Sequence, residues 1–461
     1  MVKKRLLTYV TALACAAAIT ACGGQGGAAE ETNSVQTEAA SETAAGGESE
    51  AAESESEAAE NESEAAEEGA EAAESEAMPV AEYNQKYLTV YFDAALEGDI
   101  TKDSFNESLQ KIAGEEAAAA EENSYLSMVK AAVTTAEYEE LALSYPEDKV
   151  QERLDVYGVD LEDSQYAQSL ACALDVSLIT EDEAEKAAAG EAMTADEANE
   201  LLMAVADARG EARNYLGSSD DPDIYGKIDN AWESFVIFDD EALTDIGRQA
   251  VEQQITTGYG IKSDAYSANF LPELTLQYGH SDIKHAHQLI GLLNSEDIRA
   301  NVQLEPKISI YQYLLDWGPI PEATPTYEVK QFGDLYLVYA VEYDMQLEFE
   351  NEEELLRFDS VIEEFAKKYA ENADAEGLIY GSWWQPLYSS VRSDLPSDRY
   401  HEIYDCVVRN GIYSIHPFCL AEDKDQVVEK LNALNPDYQA EPVARYCNTA
   451  FYNYLGGTDY Q

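Results

Sequence analysis

Apolar positions recur at helical spacing from about residue 80 to residue 217. Leu88, Tyr91, Ala95 and Leu96 share one face, Gly98 follows, and Thr101-Lys102-Asp103-Ser104 opens a second helix with Phe105, Leu109 and Ile112 inward. The plan returns with Ala167, Leu170, Ala171 and Leu174, then Leu178-Ile179, a loop, and Thr194-Ala195-Asp196-Glu197 ahead of Ala198, Leu201, Leu202 and Val205. A Thr hydroxyl at a helix start accepts a hydrogen bond from an otherwise orphaned N–H, and a Glu three residues on completes the capping box. Thr134-Thr135-Ala136-Glu137 marks a third, weaker copy.

Beyond residue 218 the pattern shifts to aromatic residues and strand-like alternation. Leu335–Tyr339 and Met345–Phe349 read as strands, and Glu353–Tyr369 as a helix with Leu356, Val361, Phe365 and Tyr369 inward. Asn410-Gly411 between apolar runs predicts a hairpin. Two stretches repeat a strand-helix-strand plan: Leu274–Tyr278 with Gln288–Asn294 and Ala300–Val302, and Ile412–Ile415 with Val427–Asn435 and Gln439–Glu441. The predicted class is α+β, with an all-α segment over 78–217 and an α+β domain over 218–461.

The first 21 residues differ from both. Lys3, Lys4 and Arg5 precede a mostly apolar run to Ala21, which is too short and too poorly flanked for a spanning helix and reads as an export signal. Its end, Ile19-Thr20-Ala21-Cys22, resembles the lipobox of bacterial lipoproteins. That resemblance implies a diacylglyceryl group on Cys22, cleavage before it, and a protein held on the outer face of the cell membrane, projecting into the wall. Residues 28–77 carry seventeen Glu and no Lys or Arg. Such a tract cannot bury enough apolar surface to fold, so residues 22–77 read as a disordered acidic tether. Fifty residues reach at most roughly 170 Å.

The chain holds 28 basic and 92 acidic residues. That balance excludes nucleic acid, whose phosphates demand a basic face, and leaves membrane attachment to the lipid. Within the helical segment, a helix ending near Gly, a Leu-Ile pair, a loop and Thr-x-x-Glu before Ala and Leu are similar to S-layer homology repeats, which bind cell-wall polymers. The Arg that contacts the acidic polymer in that family is missing; Lys102 stands in its place in one copy, and Ala195-Asp196 in the other.

Candidate chemistry is sparse. His280, His285 and His287 form the one histidine cluster, but two helical residues two apart differ by about 200° around the axis, so they do not converge on one metal ion. No cofactor motif or calcium-loop spacing occurs. Cys406 and Cys419 are candidates for a disulfide in an exported protein, with Cys447 as the alternative partner. Trp383, Trp384 and Tyr388 are candidates for stacking on a sugar or peptide. The sequence therefore predicts a non-enzymatic surface lipoprotein that binds an envelope glycan or a surface protein. The alternatives are a solute-binding lipoprotein, which requires two doubly wound lobes, and a wall-modifying hydrolase, which requires a cleft with converging catalytic groups.

Overall fold

The computed structural model describes residues 77–161, 165–315, 318–365, 376–377, 379, 387–396 and 398–457. Cys22, the acidic tract, Tyr369, Trp383 and Trp384 lie outside the described residues, and at Tyr388 only the backbone is described.

Eight helices come first: α1 (Val80–Phe92), α2 (Lys102–Ala113), α3 (Tyr125–Thr135), α4 (Glu139–Leu143), α5 (Glu147–Val156), α6 (Ala167–Asp175), α7 (Glu181–Ala188) and α8 (Ala195–Ala208). Side-chain caps set their starts. Thr101 accepts from the Ser104 amide and Thr194 from the Glu197 amide, each within a capping box. Three expectations change. Asp93, at φ 52°, ends α1 before Ala95 and Leu96. The stretch read as a loop after Leu178-Ile179 contains α7, opened by a further capping box between Thr180 and Glu183. Thr134 and Thr135 close α3 instead of opening a helix. Tyr87, Leu88, Phe105, Leu109, Leu170, Leu201 and Leu202 are buried together in the core of this segment. Asn199, 1% exposed, clamps α8 to the chain after α1: its Oδ1 accepts from the Leu96 amide at 2.8 Å and its Nδ2 donates to the Leu96 carbonyl at 3.0 Å.

The second region begins with β1 (Gly217–Ser218), α9 (Ile224–Ser234), α10 (Glu241–Glu252), β2 (Gly258–Ser263), β3 (Thr275–His280), α11 (Ile283–Ser295) and β4 (Ala300–Gln312). It continues through β5 (Tyr327–Phe332), β6 (Leu335–Phe349), α12 (Glu352–Phe365), β7 (Leu387–Ser390), β8 (Tyr400–Asn410), β9 (Tyr413–His416) and β10 (Phe418–Leu420). It ends with α13 (Lys424–Leu434), β11 (Ala440–Asn448) and α14 (Thr449–Leu455). The predicted strands 335–339 and 345–349 are two ends of the single strand β6. Helix α12 buries Leu355, Phe358 and Ile362 in place of the predicted Leu356 and Val361 face, and its bounds end at Phe365. In the β8–β9 hairpin the loop residues are Gly411 and Ile412; Gly411 supplies the positive φ, 60°, that a two-residue turn needs at its first position.

Every pairing among the described strands is antiparallel. The order β4-β2-β9-β8-β11-β7-β3-β6 returns to β4 through the β4–β6 pairing, so the sheet curls into a closed ring. It consists of two groups of four strands. In one, β3-α11-β4-β6-α12-β7 lies in the spatial order β7-β3-β6-β4, the split β-α-β plan. The other, β2-β9-β8-β11, has a different order, with its first strand β2 at one edge; what it shares with the first group is one strand-helix-strand unit, β9-α13-β11, whose two strands flank a third, β8, as β3 and β4 flank β6.

Strand alternation decides which face turns outward. Val302, Leu304, Ile308 and Ile310 of β4, with Tyr339, Val341, Tyr343, Met345 and Leu347 of β6, share the main core with residues of the surrounding helices, including Ile228, Leu243, Leu289, Phe358 and Leu431. The intervening positions, Glu305, Lys307, Ser309 and Tyr311 on β4 and Glu342, Asp344 and Gln346 on β6, face the interior of the ring. Helix α1 meets the ring at its Glu348 end. Tyr83 donates to Glu348 Oε1 at 2.6 Å, Tyr87 to the Asn269 carbonyl at 2.8 Å, and Lys86 pairs with Glu273 at 2.6 Å.

Candidate functional site: a charged cavity inside the strand ring

The inward positions of eight strands surround a cavity of about 570 Å³. Lys262, Gln277, Lys307, Ser309, Glu342, Asp344, Asp405, His416 and Arg445 supply its polar wall, and Tyr311, Phe418, Phe451 and Tyr454 supply rings. Gly258 and Gly260 of β2 leave room where a side chain would stand; a Cβ on Gly258 would come within 2.7 Å of the Ile310 carbonyl.

A buried charge cluster follows from the register. Glu305 on β4 stands directly opposite Asp344 on β6, two carboxylates that repel unless cations separate them. Lys262 Nζ meets Asp344 Oδ2 at 2.5 Å and Glu305 Oε2 at 3.3 Å, while Lys307 Nζ meets Asp344 Oδ1 at 2.7 Å. Burial alone would raise the Asp344 pKa, but the two lysines hold it far below the usual carboxylate range. Lys262 shows the reciprocal effect: burial works to lower it, and Asp344 and Glu305 keep it above its ordinary value. Glu305 also accepts from the Ala268 amide at 2.8 Å and from Gln346 at 3.1 Å. This group is committed to itself and fixes the wall.

On the adjoining strand β9, His416 Nδ1 lies 2.8 Å from Asp405 Oδ2, and His416 Nε2 lies 2.9 Å from Ser414 Oγ. The connectivity is that of a nucleophile, a base and an orienting carboxylate. Ser414, however, is 2% exposed and its residue does not line the cavity, so its hydroxyl serves to orient His416. Asp405 Oδ1 is buried with no partner. Arg445 reaches the same wall from β11 and has no carboxylate within ion-pair distance among the described residues.

No family model, curated protein or solved structure matches the chain.

Of the predicted site residues, Trp383, Trp384 and the Tyr388 side chain lie outside the described residues, and the others fall elsewhere. Lys102 donates to the Glu121 carbonyl at 3.0 Å, and Asp196 is exposed in the first turn of α8; neither lines the cavity. Tyr388 pairs through its backbone with Tyr278 on β3. Cys406 and Cys419 lie on neighbouring strands as thiols, Sγ to Sγ 3.6 Å, on the helix-facing side. Cys447 packs instead with Ile403 in a separate cluster, which removes it as their partner. His280 and His285 lie with ring centroids 3.6 Å apart, while His287 turns away to Asp229 at 2.9 Å. Asp282 caps α11, its side chain accepting from the Lys284 amide. The described residues contain no group of three or more His, Cys, Asp or Glu arranged to hold a metal ion.

The cavity residues escaped sequence reasoning because each strand contributes only one to four of them. The available signal was alternation: Glu305, Lys307, Ser309 and Tyr311 interleave with Leu304, Ile308 and Ile310.

Proposed function

We propose that this chain is a lipid-anchored protein of the outer cell surface that binds a small polar ligand, an envelope glycan or a fragment of one, inside the strand ring. The observation that carries the reading is the cavity itself: its volume suits one or two sugar rings, its wall is rich in hydrogen-bonding groups, and Tyr311, Phe418, Phe451 and Tyr454 give it an aromatic side. The anchor rests on the lipobox resemblance at Cys22 and the acidic tract after it. No described helix is long and apolar enough to cross a membrane.

In this reading the helical segment is a scaffold descended from S-layer homology repeats, and the two four-strand groups descend from one duplicated strand-helix-strand unit. The capping boxes at Thr101 and Thr194 support the first, and the recurrence of a strand-helix-strand unit flanking one inserted strand, β3-α11-β4 around β6 and β9-α13-β11 around β8, supports the second. A two-lobed solute-binding architecture is disfavoured, because that plan needs parallel strands. Wall hydrolysis is the second reading, favoured by the Ser414–His416–Asp405 connectivity alone.

The test is a pull-down of the full chain with purified cell-wall sacculi, together with fractionation of Cys22→Ser. The reading expects binding to glycan that soluble wall fragments displace, and release or non-processing of the variant. Unchanged membrane retention of Cys22→Ser removes the anchor, and sacculi that bind nothing remove the glycan.

A further inference from the structure

The chain carries more than three acidic residues for each basic one, so an arginine without a carboxylate beside it is an exception that needs a cause. Ten arginines lie among the described residues. Nine stand within ion-pair distance of an Asp or Glu: Arg153, Arg209, Arg213, Arg248, Arg299, Arg357, Arg392, Arg399 and Arg409. The tenth is Arg445, and it lies on the cavity wall.

A partner was within reach. Arg445 pairs in register with Ile403 and Asp405 with Val443, so Asp405 is the diagonal neighbour of Arg445 on the adjacent strand, roughly 7–8 Å away at Cα. Its carboxylate turns instead to His416, 2.8 Å away. The lysines of the cavity are spoken for by Asp344 and Glu305. Among the described residues the wall thus presents one guanidinium without an ion-pair partner, alongside the carboxylates of Glu342 and Asp405.

We propose that Arg445 is the anion-recognition residue of this cavity and that the ligand is an acidic saccharide, its carboxylate paired with the Arg445 guanidinium and its ring against the aromatic side of the wall. A guanidinium matches a carboxylate in a bidentate fork. One uncommitted cation neutralises one negative charge, so a monovalent carboxylate fits where a doubly charged phosphate would face the surrounding carboxylates. Sugar hydroxyls are the donors that an acceptor-rich wall requires. The inference rests on the cavity-binding reading and narrows it to a ligand class.

The experiment is calorimetric titration of the full chain in detergent with D-glucuronate, its neutral isostere D-glucuronamide and D-glucose, repeated with Arg445→Gln and Arg445→Lys and with circular dichroism melts as the check on folding. We expect glucuronate to bind about 10- to 100-fold more tightly than glucuronamide, the range for a charge-assisted hydrogen-bonded contact. Arg445→Gln should erase that preference with little change toward glucuronamide, and Arg445→Lys should restore part of it. Equal affinities in the unaltered chain, or a preference that survives Arg445→Gln, overturn the role of Arg445 while the cavity reading stands. Binding of none of the three sugars overturns the cavity reading and this inference with it.

Discussion

Acidification should loosen this protein through two adjacent buried histidines. His280 and His285 are 6% and 1% exposed, and their ring centroids lie 3.6 Å apart. His280 Nδ1 accepts from the Asp282 amide at 2.9 Å, and His285 Nδ1 lies 3.2 Å from the Tyr278 hydroxyl. Burial lowers the His280 pKa to about 3, aided by His285, and burial lowers that of His285 to about 4. Both folded-state values lie below the unfolded value near 6.5, so the stability these rings contribute is full above that pH and is lost as pH falls toward 4 and 3. At pH 5 each ring costs about 2 kcal/mol relative to pH 8, and the pair ~4 kcal/mol, a large part of the roughly 5–15 kcal/mol that holds a typical domain together. Urea unfolding followed by tryptophan fluorescence at pH 8 and pH 5 reads this directly. The control is His280→Asn with His285→Gln, which keeps an acceptor for the Asp282 amide but cannot gain a proton in this range. Asp207 and Glu200, both raised chiefly by burial, act in the opposite sense and leave a residual slope common to both proteins. Equal losses of stability in the native and double-substituted chains between pH 8 and pH 5 would refute the argument.

Three further outcomes are expected. Asn199→Ala leaves the Leu96 amide and carbonyl without their partner and should destabilise the helical segment by about 2–4 kcal/mol in urea melts, whereas Asn199→Asp, which keeps only an acceptor, should cost in the same direction. Asp344→Asn strips Lys262 and Lys307 of their shared carboxylate and should cost about 3–5 kcal/mol, with unchanged thermal stability arguing against a buried cluster. Mild oxidation should join Cys406 to Cys419 and leave Cys172 and Cys447 as thiols, as read by peptide mapping of alkylated protein; a bridge to Cys447 would contradict its placement in the Ile403 cluster.

The sequence displayed its helices more openly than its ring. Thr101 and Thr194 announce helix starts because capping is local chemistry, legible within four residues. The helix α7 was hidden because the apolar residues it buries, Ala184 and Ala187, are small and give a weak hydrophobic signal. Strand β6 read as two pieces because Glu342 and Asp344 interrupt its apolar run, yet those carboxylates face inward where Lys262 and Lys307 meet them. The phase error at α12 has a similar origin: Leu355 and Leu356 are both apolar, and only packing against the sheet selects Leu355. The cavity was hardest to foresee, because Lys262, Lys307, Asp344, Asp405 and Arg445 come from five strands spread over nearly two hundred residues, and nothing local links them.

The ring is not equally strong around its circumference. Thirteen register pairs bind β4 to β6 and nine bind β11 to β8, all inside one four-strand group or the other. Among the described residues the groups meet at two seams, four register pairs between β2 and β4 and two between β7 and β11. The cavity therefore lies between two stiff shells with narrow hinges. Small rotations about those hinges change its width while the ladders within each shell stay whole, so the wall can conform to ligands of different girth without local unfolding. Amide hydrogens at the β7–β11 seam should exchange with solvent far sooner than those between β4 and β6, and a ligand that spans the two shells should slow the seam most.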